Sequence, residues 1–513
     1  MTTADFIRLA GSPFEKLFDA LLDPARRERT MALLLAGYAT VWTVYAVIAK
    51  GSQDIHFDMG EMVAWSHEVG LGTPKHPPLA AWLVRVWFDV LPADTWAYYL
   101  FAVVLATAAL WISWCVTARY LSPDKRIIGI VLLTFLPFYN FHALKFNANT
   151  VLIPFWAATT WWFLRSLETR GKGWAVLAGI GAAAAMLGKY WSVFLLAGLS
   201  LAALTDYRRG IYFRSPAPWL TIAVGTLAIA PHLIWTMIHD FGPFRYAFGA
   251  HPASYAGAAG YAIVFFGGLL LYVAAPIVLN LLTTRPSMVA IGESIWPADP
   301  ERRTIVIALV APVFLAAAGA VMLKIKIGSL WMMSGMTLLP VVLVSSPLVS
   351  VSRSAAVRLL ALAIIYPLVM LAASPGIALV IHFQGVPHYA THYQLIARAM
   401  ERVWSERTNQ PLRIIGSSTD VVNGIVFYFE DQPSTLDIMT PAQTPWVDAG
   451  RIKREGVVIV CPVPETACVK AMDDYAARAP AAQIEDVYLA RRYFGALDKP
   501  VLYRILTILP ETL

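Results

Sequence analysis

Charged residues are scarce in this chain. Only 14% of its 513 residues are Asp, Glu, Lys or Arg, whereas 58% are hydrophobic, and the mean hydropathy is +0.59. One globular core cannot absorb that much apolar surface, so the composition excludes an ordinary soluble fold and makes the bilayer the natural solvent. Cysteine is nearly absent, with three in the whole chain. Cys115 lies in an apolar run and reads as a filler, while Cys461 and Cys468 form either a short disulfide loop or two free thiols. No second Cys/His pair has zinc spacing, and no glycine-rich loop of the kind that cradles nucleotide phosphates is present. The chain also lacks an internal repeat of fixed period and a matched pair of broken helices in two halves, the arrangement expected of many transporters.

What is present is a series of apolar runs. A helix needs about 20 apolar residues to cross the hydrocarbon, and eleven stretches qualify as candidates: 31–49, 94–117, 127–143, 150–166, 174–188, 191–205, 217–237, 257–283, 304–323, 329–350 and 359–381. The runs at 174–188 and 191–205 are short. Lys and Arg recur in alternate loops, beginning with Arg26, Arg27 and Arg29 and continuing with Arg119/Lys125/Arg126, Arg170/Lys172, Arg208/Arg209/Arg214, Arg302/Arg303 and Arg353/Arg358. That alternation predicts a cytoplasmic N-terminus and a C-terminal domain in the periplasm, in a bacterial inner membrane. The net charge of +7 then follows from topology and does not point to nucleic acid. Residues 1–30 read as a cytoplasmic leader with Phe6, Leu9, Phe14, Leu17, Phe18, Leu21 and Leu22 on an amphipathic helix, with no cleavable signal.

The expected architecture is an all-α polytopic body over 31–383, with a first periplasmic loop at 50–93, and a small α/β domain over 384–513. In that domain His392–Arg407 and Glu465–Arg478 have helical spacing, and Leu412–Gly416, Gly424–Phe429 and Gly456–Cys461 read as strands.

Ionisable residues cluster in the loops. The first loop carries Asp54, His56, Asp58, Glu61, His67, Glu68, Lys75 and His76, then Pro77-Pro78-Leu79 and an apolar segment, Ala80–Leu91, too short to span and suited to the interface. An acid there can serve as a general base, although polar residues of a wet loop would look the same. The next outer turn holds Lys145-Phe146-Asn147-Ala148-Asn149-Thr150, where Asn149 can cap the following helix. Lys189 stands between two short apolar runs with no carboxylate within a turn of it in sequence, so it needs the interface, water or an anionic partner such as a lipid phosphate. His239, Arg245 and Lys326 are weaker candidates for binding substrate, and the tryptophans read first as interfacial-belt residues.

These residues carry a resemblance. Asp58, then Trp65-Ser66, then His76-Pro77-Pro78-Leu79 resembles the first outer loop of bacterial GT-C membrane glycosyltransferases, the polyprenyl-phosphate-dependent relatives of protein O-mannosyltransferases and of lipid A aminoarabinose and galacturonic acid transferases. Leu187-Gly188-Lys189-Tyr190, the stretch from Leu233-Ile234-Trp235 to His239, and Gly328-Ser329-Leu330-Trp331 are similar to later pieces of the same pattern. There are departures. Met59 stands where the family has a second acid, leaving Glu61 as the nearest carboxylate; Asn147-Ala148-Asn149-Thr150 lacks the acid of the second loop; and Lys75 stands where relatives often have Asp.

The resemblance implies inverting transfer of a sugar from a polyprenyl phosphate to a lipid, glycan or protein acceptor. Asp58, with Glu61, would be catalytic, and Lys189, Lys75 and His76 would meet the donor phosphate; Asn149 joins His239, Arg245 and Lys326 as a weaker candidate for binding substrate. No cofactor is implied with certainty, and a divalent metal is not indicated. The alternative class is a transporter or lipid flippase, which would bury charges midway through several spans.

Overall fold

The computed structural model describes residues 12–68, 70–479 and 481–511. Six described helices are long and apolar enough to cross a membrane: Arg27–Ala49, Thr95–Thr117, Ala217–Ile238, Tyr255–Thr284, Pro300–Met322 and Arg353–Gln384. The chain is a multi-pass membrane protein. The other five candidate runs take different forms. Residues 150–166 lie in the helix Ala148–Thr169, and 174–188 and 191–205 form two shorter helices, Lys172–Gly188 and Val193–Thr205. The run 127–143 is a helix that stops at Leu133, followed by a single 3₁₀ turn at Pro137–Tyr139, and 329–350 splits into the 3₁₀ segment Ser329–Met336 and the helix Leu339–Val344. Proline explains both interruptions, because Pro137 and Pro340 each lack the N–H that would extend the helix before them.

The chain divides into two compact units. The first comprises Met1–Thr43, Leu100–Leu144 and Ala148–Leu371. Of the expected leader helix, Pro13–Leu22 is observed, opened by Ser12, whose side chain accepts from the Glu15 amide; Phe6 and Leu9 lie outside the described residues. Helix contacts in this unit rely on small residues, as expected where lipid removes the hydrophobic drive for association. At Gly198 a Cβ would lie 2.5 Å from the Pro312 ring, so only glycine lets the helices Val193–Thr205 and Pro300–Met322 meet there.

The second unit comprises Val44–Tyr99, Lys145–Asn147 and Ala372–Leu513. The first loop therefore groups with the C-terminal segment, a different partition from one drawn at residue 384. Its strands are β1 (Ile414–Ser417), β2 (Ser434–Asp437), β3 (Val457–Pro462), β4 (Gln483–Leu489), β5 (Arg492–Tyr493), β6 (Ala496–Leu497) and β7 (Val501–Ile508). A five-stranded sheet runs in the order β2-β1-β3-β7-β4, and β5 and β6 form a separate hairpin. β1 is parallel to β2 and β3, while β7 is antiparallel to β3 and β4. The core beside the sheet gathers Ile414, Leu436, Val457, Ile459, Met472 and Leu506. Cys461 on β3 and Cys468 on the helix Thr466–Ala477 form a disulfide.

One expected strand is a correction. Gly424–Phe429 belongs to the helix Thr419–Ile425 and the 3₁₀ turn Val426–Tyr428. Val421, Ile425 and Phe429, with Val422 and Val426, recur every four residues and are all buried, which is a helical period. This short helix packs on the first-loop helix Phe57–His67. The approach is so close that a Cβ on Gly60 would sit 1.9 Å from the Asn423 carbonyl oxygen. Gly60→Ala forces the two helices apart. The expected cost is at least the roughly 1–3 kcal/mol of an overpacked core, read as a lower melting temperature in detergent, together with lost activity.

Candidate functional site

The helix Phe57–His67 begins where the His56 side chain accepts a hydrogen bond from the Asp58 amide, Nδ1 to N 3.1 Å. An acceptor Nδ1 requires a neutral ring, and burial pushes the His56 imidazole down to about 4 against the pull of the Asp58 charge. Asp58 occupies the first turn, where the helix dipole favours a carboxylate. Its Oδ2 is 2.8 Å from Lys145 Nζ and accepts from Asn147 Nδ2 at 3.2 Å. Burial raises the Asp58 carboxyl, but the Lys145 ammonium and the Asn147 amide hold the group below its ordinary range. The carboxylate is thus ionised at neutral pH, and it remains partly open, with 22% of its side chain exposed.

Glu61 lies one turn further along and is almost wholly buried. Lys75 Nζ is 2.7 Å from its Oε1, and Asn423 Nδ2 donates to the same oxygen at 3.4 Å. Burial holds this carboxyl above the usual range even with the ammonium beside it. The backbone around Lys75 and His76 is fixed by Thr73, whose Oγ1 accepts from both amides, at 3.3 and 2.9 Å, and donates to the His76 carbonyl at 3.0 Å. The His76 ring meets the Trp65 indole edge-on at 5.8 Å. Trp65 and His76, two markers of the loop motif, are therefore in contact.

Lys75 was expected at a donor phosphate, and its observed partner is Glu61. Lys75→Met would strand a buried carboxylate. We expect a loss of about 3 kcal/mol, measured by thermal denaturation. Because the folded Glu61 carboxyl is then raised further, the loss should be greatest at high pH and shrink as pH falls and the group takes up a proton. Adding Glu61→Gln should restore much of the stability. An unchanged melting temperature with a raised donor KM would return Lys75 to the phosphate.

The first unit holds the other candidates. Lys189 follows the helix Lys172–Gly188 in extended backbone, φ −165° and ψ 137°, and a 3₁₀ turn, Tyr190–Ser192, follows it. Its ammonium donates to Asn149 Oδ1 at 2.8 Å and lies 4.7 Å from the centre of the Trp331 ring. An amide oxygen and an aromatic face therefore both meet this cation at the break between the two helices. Asn149 itself sits in the first turn of Ala148–Thr169. Next to Lys189, Tyr190 stacks on Phe244 at 4.3 Å and 8°, and its hydroxyl is 2.7 Å from His232 Nε2. His232 stacks on Trp235, and Trp235 on His239, so His239 ends a column of rings, with Nδ1 2.8 Å from the Trp235 carbonyl. Arg245 is exposed, 4.0 Å from Asp240. The Lys326 ammonium lies over Tyr261 at 5.7 Å.

Three residues brought to the Asp58 and Glu61 cluster were not singled out from the sequence. Asn423 is one, and the others are Asp420 and His388, 2.6 Å apart. Among the described residues, no group of three or more His, Cys, Asp and Glu side chains is arranged to hold a metal ion.

Comparison with known proteins bears on the fold. The structure aligns with the crystal structure of ArnT from Cupriavidus metallidurans bound to undecaprenyl phosphate at a TM-score of 0.60 and 13% identity, covering 92% of this chain and 97% of that one. The chain has the GT-C fold. Residues 75–235 match the family model of dolichyl-phosphate-mannose-protein mannosyltransferases, a range that holds Lys75, His76, Asn149 and Lys189. Two curated relatives come from Rhizobium johnstonii. One is the lipid A galacturonosyltransferase RgtD, 25% identical over 215 residues, 41% of this chain and 44% of that protein. The other is the lipopolysaccharide core galacturonosyltransferase RgtB, 28% identical over 256 residues, 47% and 51%. The chain thus spans about half the length of the curated relatives it matches. The resemblance to GT-C membrane glycosyltransferases read from the loop motifs is borne out.

Proposed function

We propose that this protein is an inverting glycosyltransferase that moves a uronic acid from a polyprenyl phosphate to lipid A or to the lipopolysaccharide core, on the periplasmic face of the inner membrane. The observation that carries the reading is Asp58: an ionised, partly open carboxylate at the start of the loop motif, fixed by Lys145 and Asn147. Its role is to take the proton of the acceptor hydroxyl as that oxygen bonds to the anomeric carbon. The bond from that carbon to the phosphate oxygen breaks on the opposite face, and the electron pair leaves with the phosphate. In the first unit, Lys189 is the candidate cation for a donor phosphate. Glu61 serves as the buried anchor of this helix through Lys75, and His76 shapes the loop through Trp65. Asn149 holds the Lys189 ammonium in place. His239, Arg245 and Lys326 remain candidates for binding the polar parts of the substrates.

The sugar and acceptor classes rest on the names of the relatives, and the donor class on the family resemblance. The disulfide supports a C-terminal segment outside the cytoplasm, since such bonds persist in oxidising compartments. The alternation of basic loops supports the same side. The test is direct: the purified chain, given undecaprenyl-phosphate galacturonic acid and a lipid A–core acceptor, should yield an acceptor heavier by one uronic acid residue in mass spectra. Recovery of unmodified acceptor under all conditions would overturn the proposal.

A further inference from the structure

His388 is held in a way that suits a ligand contact. It and Tyr389 both adopt left-handed backbone, φ 60° and 58°, a pair of conformations that residues with a Cβ adopt at a cost of order 1–3 kcal/mol each and that cluster at functional sites. The two residues are the central pair of a turn closed by the Ala390 amide on the Pro387 carbonyl at 3.3 Å, and the His388 side chain it presents is 45% exposed. Asp420 Oδ2, on the helix packed against Phe57–His67, lies 2.6 Å from His388 Nδ1. A carboxylate on Nδ1 fixes the ring plane and leaves Nε2 as the nitrogen offered to a partner. The ring also lies 5.0 Å from that of Phe57, the residue directly before Asp58.

The charges nearby say what the partner is. Asp420 feels the charges of Lys75 and Asp58 as well as that of His388, and Glu61 feels those of Asp58 and Asp420. Three carboxylates, Asp58, Glu61 and Asp420, thus stand with two ammonium groups, Lys75 and Lys145, and the His388 imidazole adds a third positive charge only if it is protonated. With the ring neutral the excess is negative. A phosphate brought to this cluster would be repelled, whereas a sugar hydroxyl carries no charge and can both give and receive hydrogen bonds.

We propose that His388, oriented by Asp420, contacts the acceptor through Nε2 and aligns a neutral hydroxyl of a glycan, so that the C-terminal segment selects a hydroxyl acceptor over a phosphate. This rests on the transferase reading and adds a residue and an acceptor class to it. No bond is made or broken at His388; it binds and orients.

The test uses the full chain in detergent with undecaprenyl-phosphate galacturonic acid and two lipid A–core acceptors, one with its phosphates and one dephosphorylated. His388→Ala should raise the acceptor KM at least tenfold and leave the donor KM within twofold. His388→Gln, which can still present a hydrogen-bonding group, should recover part of the loss. Asp420→Asn, with its ring partner altered, should fall between wild type and His388→Ala. Wild type should use the dephosphorylated acceptor at least as well as the phosphorylated one. An unchanged acceptor KM in His388→Ala overturns the role of His388, and so does an equal rise in both KM values, the mark of general distortion. Transfer that requires the acceptor phosphates overturns the hydroxyl assignment. A wild-type chain that transfers to neither acceptor overturns the transferase reading, and this inference falls with it.

Discussion

Asp58→Asn should leave the protein folded and remove nearly all transfer, a loss of about 10²–10⁴ in kcat/KM, the range supplied by a positioned base. Asparagine keeps the shape of the side chain and loses the basic lone pair. Stability should change little, because the partner ammonium, Lys145, is 41% exposed and can be hydrated once the carboxylate is gone. The sign of the pH dependence follows from the same geometry. Against the opposing effect of burial, Lys145 and Asn147 hold the folded Asp58 carboxyl below the ordinary value, so if Asp58 is the base, the acid limb of kcat/KM assigned to it should lie below that of an ordinary carboxylate. Lys145→Met removes the first of the groups that depress it and should move that limb upward. Steady-state rates across pH for the three proteins decide the matter, and near-normal turnover by Asp58→Asn would remove the residue from the chemistry.

Lys189→Ala carries the second large effect. Loss of one charge-stabilising donor costs about 10²–10³ in kcat where charge develops in the transition state, and donor binding should weaken with it. Two features separate this from a lysine that merely reaches for the interface. The side chain starts from an extended break between helices, and its ammonium is already oriented by Asn149 and the Trp331 ring. Lys189→Arg keeps the charge but replaces a compact ammonium with a planar fork, so it should retain part of the activity. Asn149→Ala should cost less than either, since it removes the orientation and leaves the charge. Titration with undecaprenyl phosphate and single-turnover rates give both numbers, and wild-type values for Lys189→Ala would leave the lysine a structural role alone.

The local features were legible in the sequence. Long apolar runs appear as long helices, and the polar break at Lys189 appears as a break. The short apolar segment that appears as the helix Leu79–Val90 and the loop motif headed by Asp58 could be read from adjacent residues, whereas Cys461 and Cys468, open in the sequence between a disulfide and two free thiols, are bonded. The runs holding Pro137 and Pro340 are interrupted, whereas Pro154, Pro231, Pro276 and Pro312 lie inside continuous helices, and hydropathy alone does not tell the two cases apart. The C-terminal strands β2, β4 and β7 escaped notice. β2 is only four residues long, and β4 lies at the sheet edge with little buried surface, so neither leaves a strong apolar pattern.

The part of the site that stayed hidden was hidden for one reason. Asn423 reaches Glu61 across 362 residues of chain, and His388 and Asp420 belong to segments whose own neighbours say nothing about Asp58. The one local clue was Ser418-Thr419-Asp420 ahead of apolar residues spaced by four, a helix-start pattern masked by the β-branched composition of the segment. Lys75 shows the complementary problem. Its place in the motif suggested a contact with the donor phosphate, and nothing in the sequence signalled its ion pair with the buried Glu61 carboxylate.

The long-range ties of the first loop also set an order in time. Arg491 holds Asp54, the Gln394 amide donates to the same carboxylate, Ser434 bonds Glu68, and Asn423 packs on Gly60. Ribosomes add about 5–20 residues per second, so the 437 residues between Asp54 and Arg491 represent roughly 20–90 s of translation. During that interval the helix that bears Asp58 has been made but its scaffold has not. The second unit is thus assembled from segments made far apart in time, and a product truncated before residue 491 would carry every motif of the first loop while lacking the arginine that holds its start.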